Sequence, residues 1–313
     1  MSLSGLNLLF AGSGAFGVPT LSRLLDLGVN VLHVYTQLPR PAGRGKKLAP
    51  TPIHEFALSN ALPVTPTADF NAETLPPADV LLVIAFGQKL SPNVIHHARL
   101  GAINLHASLL PKYRGAAPIN WAIVRGEAET GNSVIRLADR MDAGAILGQS
   151  VVTIGDTETA GELHDRLSLN GAPLIEHVLT QLRAGSALEC PQDPFMATSA
   201  PKITRDRTAI NWSAPAAGVC RLIHGFYPWP GCRVRLVDAK ECEVARLTLV
   251  RAKVSPEPRT GFVGLIDDVG RIGAADGSID VLEVQPEGKK PMPLAAFRNG
   301  HKWEAGMRLE SLL

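Results

Sequence analysis

The chain has 313 residues, of which 45% are hydrophobic and 19% are charged. This composition is typical of a soluble globular protein, and the length exceeds the usual size of one domain. The net charge of +2 comes from 31 basic and 29 acidic side chains, and it excludes no class of partner. Residues 201–313 carry 17 Lys and Arg against 13 Asp and Glu. This mildly basic part suits a polyanionic partner, although drift in surface charge explains it about as well.

The cysteines and the apolar runs exclude several kinds of site and location. None of the four cysteines belongs to a C-x-x-C pair, and no histidine stands beside one at a metal-ligand spacing. We therefore expect no metal site and no disulfide framework, which makes the reducing cytoplasm the simplest compartment. The N-terminus lacks the basic region and cleavage pattern of a signal peptide. No apolar run approaches the roughly 20 residues that span a membrane, so we expect no membrane association.

The first elements predict a strand, a glycine turn and a helix. Residues 6–11 are apolar and typical of a buried strand, and residues 12–17 match G-x-G-x-x-G before a helical pattern. A dinucleotide site of this type also needs an acidic residue at the end of the second strand, where it holds the ribose. The second predicted strand, residues 30–36, ends without one. We therefore expect no NAD and interpret the glycines as a tight turn.

Residues 39–52 form a second informative stretch, because their prolines and glycines exclude a helix or a central strand. The stretch contains four cations, namely Arg40, Arg44, Lys46 and Lys47. A flexible basic loop attracts phosphates, although a run of charge is more often a merely solvated surface. Farther on, the continuous apolar run 79–86 predicts a strand covered on both faces of a parallel sheet. Residues 87–90 follow it as a loop.

The stretch 101–149 carries the candidate chemistry. Its first residues predict a short buried strand that delivers Asn104 and His106 at its end. A loop over 108–115 and a helix over 118–125 follow, the helix being opened by a proline. Residues 133–137 then predict another strand, which leads to Asp142 before a glycine turn.

These three polar side chains suit one kind of reaction. An asparagine amide can donate to an oxyanion, a histidine can accept a proton near neutral pH, and a carboxylate can orient the imidazole or a water. Together they suit the attack of an amine on a carbonyl carbon. Each of them alone is more often structural, either as a histidine whose hydrogen bonds are made within the protein or as a turn residue. Their joint occurrence in this pattern is what points to catalysis.

The remainder predicts a long helix, a linker and a second domain. Residues 149–154 predict a strand, and Thr159 with Glu162 forms a capping box at the start of a helix over 159–182. Another helix is predicted over 214–226. Short alternating segments then predict a small OB-like barrel. These segments are residues 232–236, 242–250, 261–265, 270–273 and 278–285. The predicted fold is α/β, with a Rossmann-like, mostly parallel sheet domain (1–188), a linker (189–207) and an OB-like β-barrel domain (208–313).

The run HASLLPKYRGAAPINWAI, with Asp142 downstream, resembles the signature of folate-dependent formyltransferases. The resemblance implies that Asn104, His106 and Asp142 are the catalytic trio and that 10-formyltetrahydrofolate is the formyl donor. It also implies a folate pocket formed by two segments. Their residues are Phe86, Gly87, Gln88, Lys89 and Leu90, and Ser108, Leu109, Leu110 and Pro111.

The basic loop resembles the one by which the tRNA-acting members of this family engage the acceptor end. The resemblance therefore implies tRNA contacts from Arg44 first, then Lys46, Lys47 and Arg40. The implied activity is transfer of the formyl group to the α-amine of methionyl initiator tRNA, a step of translation initiation in protein biosynthesis. We expect the enzyme to be a cytoplasmic monomer.

Three alternatives stay open at this point. The first is a formyltransferase for a sugar nucleotide or another small amine, with the same trio. The second is a serine hydrolase that uses Ser108, His106 and Asp142, although the chain lacks a G-x-S-x-G elbow. The third is a tRNA-binding module whose enzyme half has decayed.

Overall fold

A computed structural model describes residues 2–42, 47–257 and 262–312. The chain divides into two compact units. The first comprises Met1–Gly115, Thr130–Val152 and His164–Ser199. The second comprises Ala116–Glu129, Thr153–Leu163 and Ala200–Leu313.

Seventeen strands and seven α-helices are found in the described residues. The strands are β1 Asn7–Gly12, β2 Asn30–Gln37, β3 Arg40–Ala42, β4 Lys47–Ala49, β5 Val64–Thr67, β6 Val80–Ile84, β7 Ala102–His106, β8 Arg114–Gly115, β9 Glu129–Arg136, β10 Ile146–Thr153, β11 Ser199–Ala200, β12 Cys232–Val237, β13 Glu243–Val254, β14 Ile272–Gly273, β15 Ser278–Pro286, β16 Met292–Pro293 and β17 Arg308–Ser311. The helices are α1 Val18–Asp26, α2 Pro52–Ser59, α3 Pro92–Ile95, α4 Pro118–Arg125, α5 Ala160–Ala184, α6 Ala216–Phe226 and α7 Leu294–Arg298.

The first unit is built on a seven-stranded sheet in the order β10-β9-β7-β6-β1-β2-β5. Strand β1 pairs in parallel with β2 and β6, and β6 pairs in parallel with β7. Strand β9 runs antiparallel to β7. This mostly parallel sheet confirms the predicted Rossmann-like class. The strand order reverses between β1 and β6, and in such sheets ligands bind beyond the carboxyl ends of the strands at this point.

Strand β6 explains why the sheet is so strongly specified by the sequence. All five of its residues are buried, because it lies between β1 and β7 in the middle of the sheet. A strand covered on both faces needs apolar side chains at every position rather than at alternate ones. The predicted run 79–86 therefore contains β6, and its last residues form the loop that follows the strand.

The part of helix α5 that belongs to the first unit packs on the sheet. It approaches the sheet closely at two glycines, one in α5 and one in β10. A Cβ atom on Gly171 would lie 2.6 Å from Cδ2 of Leu105, and one on Gly148 would lie 3.1 Å from Cγ2 of Val178. The helix is continuous through Pro173. Its predicted capping box is confirmed, because the backbone N–H of Thr159 donates to Glu162 over 2.9 Å.

The second unit contains a six-stranded antiparallel sheet, with strands in the order β14-β15-β13-β12-β17 and β16 paired to β15. This curled sheet agrees with the predicted OB-like class. Helix α4 packs on α6, where the Asn120 amide donates to the Gly225 carbonyl over 2.7 Å. The strand predicted over 261–265 is wrong for its described residues, where Val263 and Leu265 form isolated bridges.

No helix within the described ranges is long and apolar enough to cross a membrane.

Candidate active site

Strand β7 places Asn104 and His106 at its carboxyl end. Asn104 lies opposite Val83 of β6 and Ile135 of β9, and His106 lies opposite Ser133 of β9. Because side chains alternate along a strand, residues two apart share a face of the sheet. The side-chain amide of Asn104 makes no hydrogen bond to any residue that the structure describes. It therefore keeps two N–H donors available for a ligand.

His106 is held by a backbone carbonyl. Its side chain is 7% exposed, and its Nε2 atom lies 2.9 Å from the carbonyl oxygen of Tyr113. A carbonyl oxygen only accepts hydrogen bonds, so the hydrogen must lie on Nε2. In the neutral ring Nδ1 then carries the lone pair. The ring nitrogen that can accept a proton is thus Nδ1.

Asp142 stands beside this nitrogen. Its Oδ1 atom lies 3.7 Å from Nδ1 of His106, which is longer than a hydrogen bond, and its Oδ2 atom accepts the Gly115 N–H over 2.8 Å. The backbone of Asp142 has a φ of 54°, in the left-handed region. The turn closes against β9, because a Cβ atom on Gly144 would lie 1.9 Å from the Arg136 carbonyl oxygen.

Ser108 belongs to the loop framework. It is fully buried, and its hydroxyl donates to the Lys112 carbonyl over 2.7 Å. Ser133 donates to the Ser108 carbonyl over 2.6 Å and accepts the Leu110 N–H over 3.0 Å. A nucleophilic serine must be accessible and bonded to its base. This geometry disfavours the serine hydrolase alternative.

The loop after β6 is anchored by polar side chains. The Gln88 amide accepts from the Phe70 N–H over 2.8 Å and donates to the Thr67 carbonyl over 2.9 Å. Gln37 donates to the Phe86 carbonyl over 2.6 Å. Gly87 has a φ of 77° and is exposed. The side chain of Gln88 therefore holds this loop in place.

The glycine turn after β1 serves packing and loop anchoring. A Cβ atom on Gly12 would lie 2.6 Å from Phe10 and 2.8 Å from the Ile84 carbonyl oxygen. Ser13 accepts the Gln37 N–H over 3.1 Å and donates to the Phe86 carbonyl over 3.4 Å. The close approach of β1 to β6 thereby explains the first glycine of the G-x-G-x-x-G pattern.

The predicted tRNA-binding residues lie only partly within the described structure. Arg40 belongs to β3 and Lys47 to β4, which pair as an antiparallel hairpin outside the main sheet. Arg40 donates to the side chain of Gln37. Arg44 and Lys46 lie outside the described residues, and their predicted contacts stay predictions. No group of His, Cys, Asp and Glu suited to a metal ion is found in the ranges described.

Sequence reasoning missed the backbone partners of the trio. The Tyr113 carbonyl and the Gly115 N–H hold His106 and Asp142, yet backbone groups have no signature in a sequence. The polar anchors Ser13 and Gln37 were also missed. Their only signal was their place at the carboxyl ends of β1 and β2, beside the switch in strand order.

Comparison with known proteins shows an enzyme that transfers a formyl group. Residues 7–179 match the family model described as Formyl transferase, and residues 202–302 match its C-terminal domain. The chain belongs to the formyl transferase family.

Individual relatives match over nearly their whole length. The chain is 38% identical over 318 residues to the methionyl-tRNA formyltransferase of Geobacter metallireducens, covering 98% of this chain and 99% of that protein. It is 39% identical over 318 residues to that of Geobacter sulfurreducens, covering 98% of each. A solved N-formyltransferase from Helicobacter canadensis, in complex with folinic acid and dTDP-3-aminofucose, shares the fold with a TM-score of 0.66 and 17% identity. The match covers 88% of this chain and 98% of that one.

Proposed function

We propose that this enzyme transfers the formyl group of 10-formyltetrahydrofolate to the α-amino group of methionyl initiator tRNA. The observation that carries the proposal is the position of the His106 Nδ1 atom beside Asp142 at the end of β7, the strand that also presents Asn104. The relatives that match along the whole chain are methionyl-tRNA formyltransferases, which supports this acceptor.

The folate derivative is a substrate, consumed in each turnover, and we assign its pterin to the loop after β6. Phe86, Gly87, Gln88, Lys89 and Leu90 would contact it chiefly through backbone N–H and C=O groups. A pterin presents donors and acceptors along one edge, which backbone groups can match. Leu109 and Pro111, which are half-buried, would line the side nearer the reacting carbon, and the buried Ser108 and Leu110 would hold this segment in place. The anchoring of both segments by Gln88 and Ser133 supports a preformed pocket.

In the first step the amine nitrogen attacks the formyl carbon. A C–N bond forms, and the carbonyl electron pair moves to the oxygen, where the Asn104 amide donates a hydrogen bond. His106 takes the proton of the amine at Nδ1, directly or through a water. The carboxylate of Asp142 stabilises the resulting imidazolium and orients it.

In the second step the tetrahedral centre collapses. The oxygen electron pair re-forms the carbonyl, and the bond between the formyl carbon and N10 of the folate breaks. N10 leaves with the electron pair of that bond and receives the proton held by His106. The products are formylmethionyl-tRNA and tetrahydrofolate, and His106 returns to its neutral state.

Four cations would engage the tRNA near its acceptor end. Arg40 and Lys47 lie on the β3–β4 hairpin, and Arg44 and Lys46 lie in the sequence between them. Lysine and arginine on such a segment neutralise backbone phosphates. We further propose a catalytic domain over 1–188, a linker over 189–207 and a tRNA-binding domain over 208–313, in a cytoplasmic monomer.

A substrate panel tests the proposal. The enzyme is incubated with formyl-labelled donor and, separately, charged initiator tRNA, charged elongator tRNA, free methionine or an amino-sugar nucleotide. We expect label on the initiator tRNA and little on the other acceptors. Preferential labelling of a small amine would instead favour the alternative formyltransferase, and no labelling at all would favour the decayed-enzyme alternative.

A further inference from the structure

The segment Cys190–Thr198, part of the predicted linker over 189–207, is bonded to β10 at one end and to the loop that holds His106 at the other. Cys190 and Ile146 exchange two backbone hydrogen bonds of 2.8 and 2.9 Å. At the other end, the Thr198 hydroxyl accepts the Tyr113 N–H over 2.8 Å, and the Thr198 carbonyl accepts the Arg114 N–H over 2.8 Å. The segment is thus fixed against the loop whose carbonyl holds His106.

Gln192 lies between these anchors and uses the whole hydrogen-bonding capacity of its amide. Its Nε2 atom donates to the carbonyl oxygens of Asp142 and Gly144, each over 2.8 Å. Its Oε1 atom accepts from Nε and Nη2 of Arg114 over 3.1 and 2.7 Å. A glutamine amide has two donors and two lone pairs, so every one of them is occupied.

These four hydrogen bonds of the Gln192 amide, called the clamp below, act on Asp142, whose backbone conformation needs support. Asp142 has a φ of 54°, which L-residues rarely adopt, and such a conformation persists only when its surroundings hold it. Gln192 holds the carbonyl of Asp142, and the Gly115 N–H holds Oδ2. With both ends held, Oδ1 remains beside Nδ1 of His106.

We propose that Gln192 is a positioning residue for formyl transfer. By joining Arg114 of β8 to the Asp142–Gly144 turn, its amide keeps the Asp142 carboxylate directed at His106. Gln192 itself touches no reacting atom. This inference rests on the proposed function, because it needs Asp142 to take part in the reaction.

The substitution Gln192→Glu separates the two halves of the clamp. The carboxylate keeps the acceptors for Arg114, but it loses both N–H donors and places negative charge against two carbonyl oxygens. We expect kcat to fall about 10- to 100-fold, as for a small displacement of a reacting group. The KM for the folate and for the tRNA should each change less than about twofold, because the Gln192 amide is fully bonded within the protein and has no group left for a substrate. Gln181→Ala, on helix α5, is the matched control and should leave kcat unchanged.

A double-mutant cycle distinguishes positioning from a general structural role. If Gln192 acts through Asp142, then Gln192→Glu should cost less than about threefold in the Asp142→Asn background. An equal loss in both backgrounds overturns the proposal, and so does a Gln192→Glu enzyme with wild-type kcat. An Asp142→Asn enzyme that is itself fully active would contradict the proposed catalytic role of Asp142, which is a separate failure.

A second variant serves as the control for misfolding. Gln192→Met has the same length without polar atoms or charge, so it removes the clamp without adding repulsion. Unfolding temperatures of both variants are measured first, and kinetics are recorded well below them. If the Glu variant does not fold, the Met variant decides, with the same expected loss in kcat and the same contradicting result.

Discussion

The Nε2 atom of His106 lies 2.9 Å from the carbonyl oxygen of Tyr113, a residue with a left-handed φ of 64°. This backbone carbonyl, rather than the carboxylate of Asp142, fixes the tautomer of the ring. The lone pair of Nδ1 is thereby directed to the side on which Asp142 lies. The base that we propose for formyl transfer is therefore set by a loop conformation.

This relationship predicts the position of the ring hydrogen. In protein labelled with ¹⁵N-histidine, His106 should give one protonated nitrogen, Nε2, and one lone-pair nitrogen, Nδ1, in a long-range proton–nitrogen correlation spectrum near pH 8. The spectrum of His106→Asn identifies the signal by its loss. The opposite tautomer, with the hydrogen on Nδ1, would contradict the assignment of Nδ1 as base.

Asn104 should matter for the reaction more than for binding. Substitution Asn104→Ala removes the donor proposed for the oxyanion, and the loss of one such donor costs about 100- to 1000-fold in kcat. The dissociation constants of folate and tRNA should change little. Asn60→Ala is the control, since Asn60 bonds the Phe56 carbonyl on the exposed end of α2. A kcat within a few-fold of wild type for Asn104→Ala would remove Asn104 from the chemistry.

The β3–β4 hairpin should contribute charge to tRNA binding. Arg40→Ala and Lys47→Ala should each weaken tRNA binding and reduce the slope of log K against log salt by about 1, since each removes one phosphate contact. Folate binding should be unaffected. Arg23→Ala, an exposed cation on α1 that pairs with Glu176, serves as control. An unchanged salt slope in both hairpin variants would show that these cations do not contact the tRNA.

His224 should make the second unit sensitive to acid. Burial lowers the pKa of His224 from 6.5 to about 4, and its Nε2 atom accepts the Ala252 N–H over 3.1 Å. Between these two values the unfolded chain binds more protons, so stability falls as the pH drops below 6.5. The loss should reach about 2 kcal/mol between pH 7 and pH 5.

Chemical unfolding at several pH values checks this. His224→Gln keeps an acceptor for the Ala252 N–H but does not titrate, so its stability should depend less on pH over this range. An equal pH dependence in the wild type and the variant would assign the acid sensitivity to other groups.

Much of the fold could be predicted because its signals are local. The bounds of α4 agree with the predicted 118–125, since a proline opens the helix and Gly126 ends it with a φ of 74°. Helix α2 and strand β5 were not predicted. Pro52 belongs to the first turn of α2, where proline is tolerated, but it also ends the basic stretch. Strand β5 contains Pro66, and a proline within a run disfavours a strand except at a sheet edge, where β5 lies.

The side chains of the candidate site could be predicted from the sequence, but the hydrogen-bond partners that orient them could not. Asn104 and His106 lie at the end of β7 and Asp142 follows β9, and strand ends can be recognised from apolar runs. The bonds that orient His106 and Asp142 come from Tyr113, Gly115 and Gln192, through backbone groups and a distant amide. Gln192 lies 50 positions beyond Asp142, and nothing in the local sequence indicates that contact. The grouping of α4 with α6 in the second unit was equally invisible, because it joins residues about a hundred positions apart.

Transfer by Asp142→Asn in a single turnover, with tRNA binding measured in parallel, tests the central claim most directly. Pre-formed complexes of enzyme and formyl donor are mixed with charged initiator tRNA, and the formation of formylmethionyl-tRNA is followed by rapid quenching. We predict that the rate of transfer falls about 100-fold or more, since the imidazolium loses its carboxylate, while the tRNA dissociation constant stays within about twofold. A variant that transfers the formyl group at close to the wild-type rate would contradict the account.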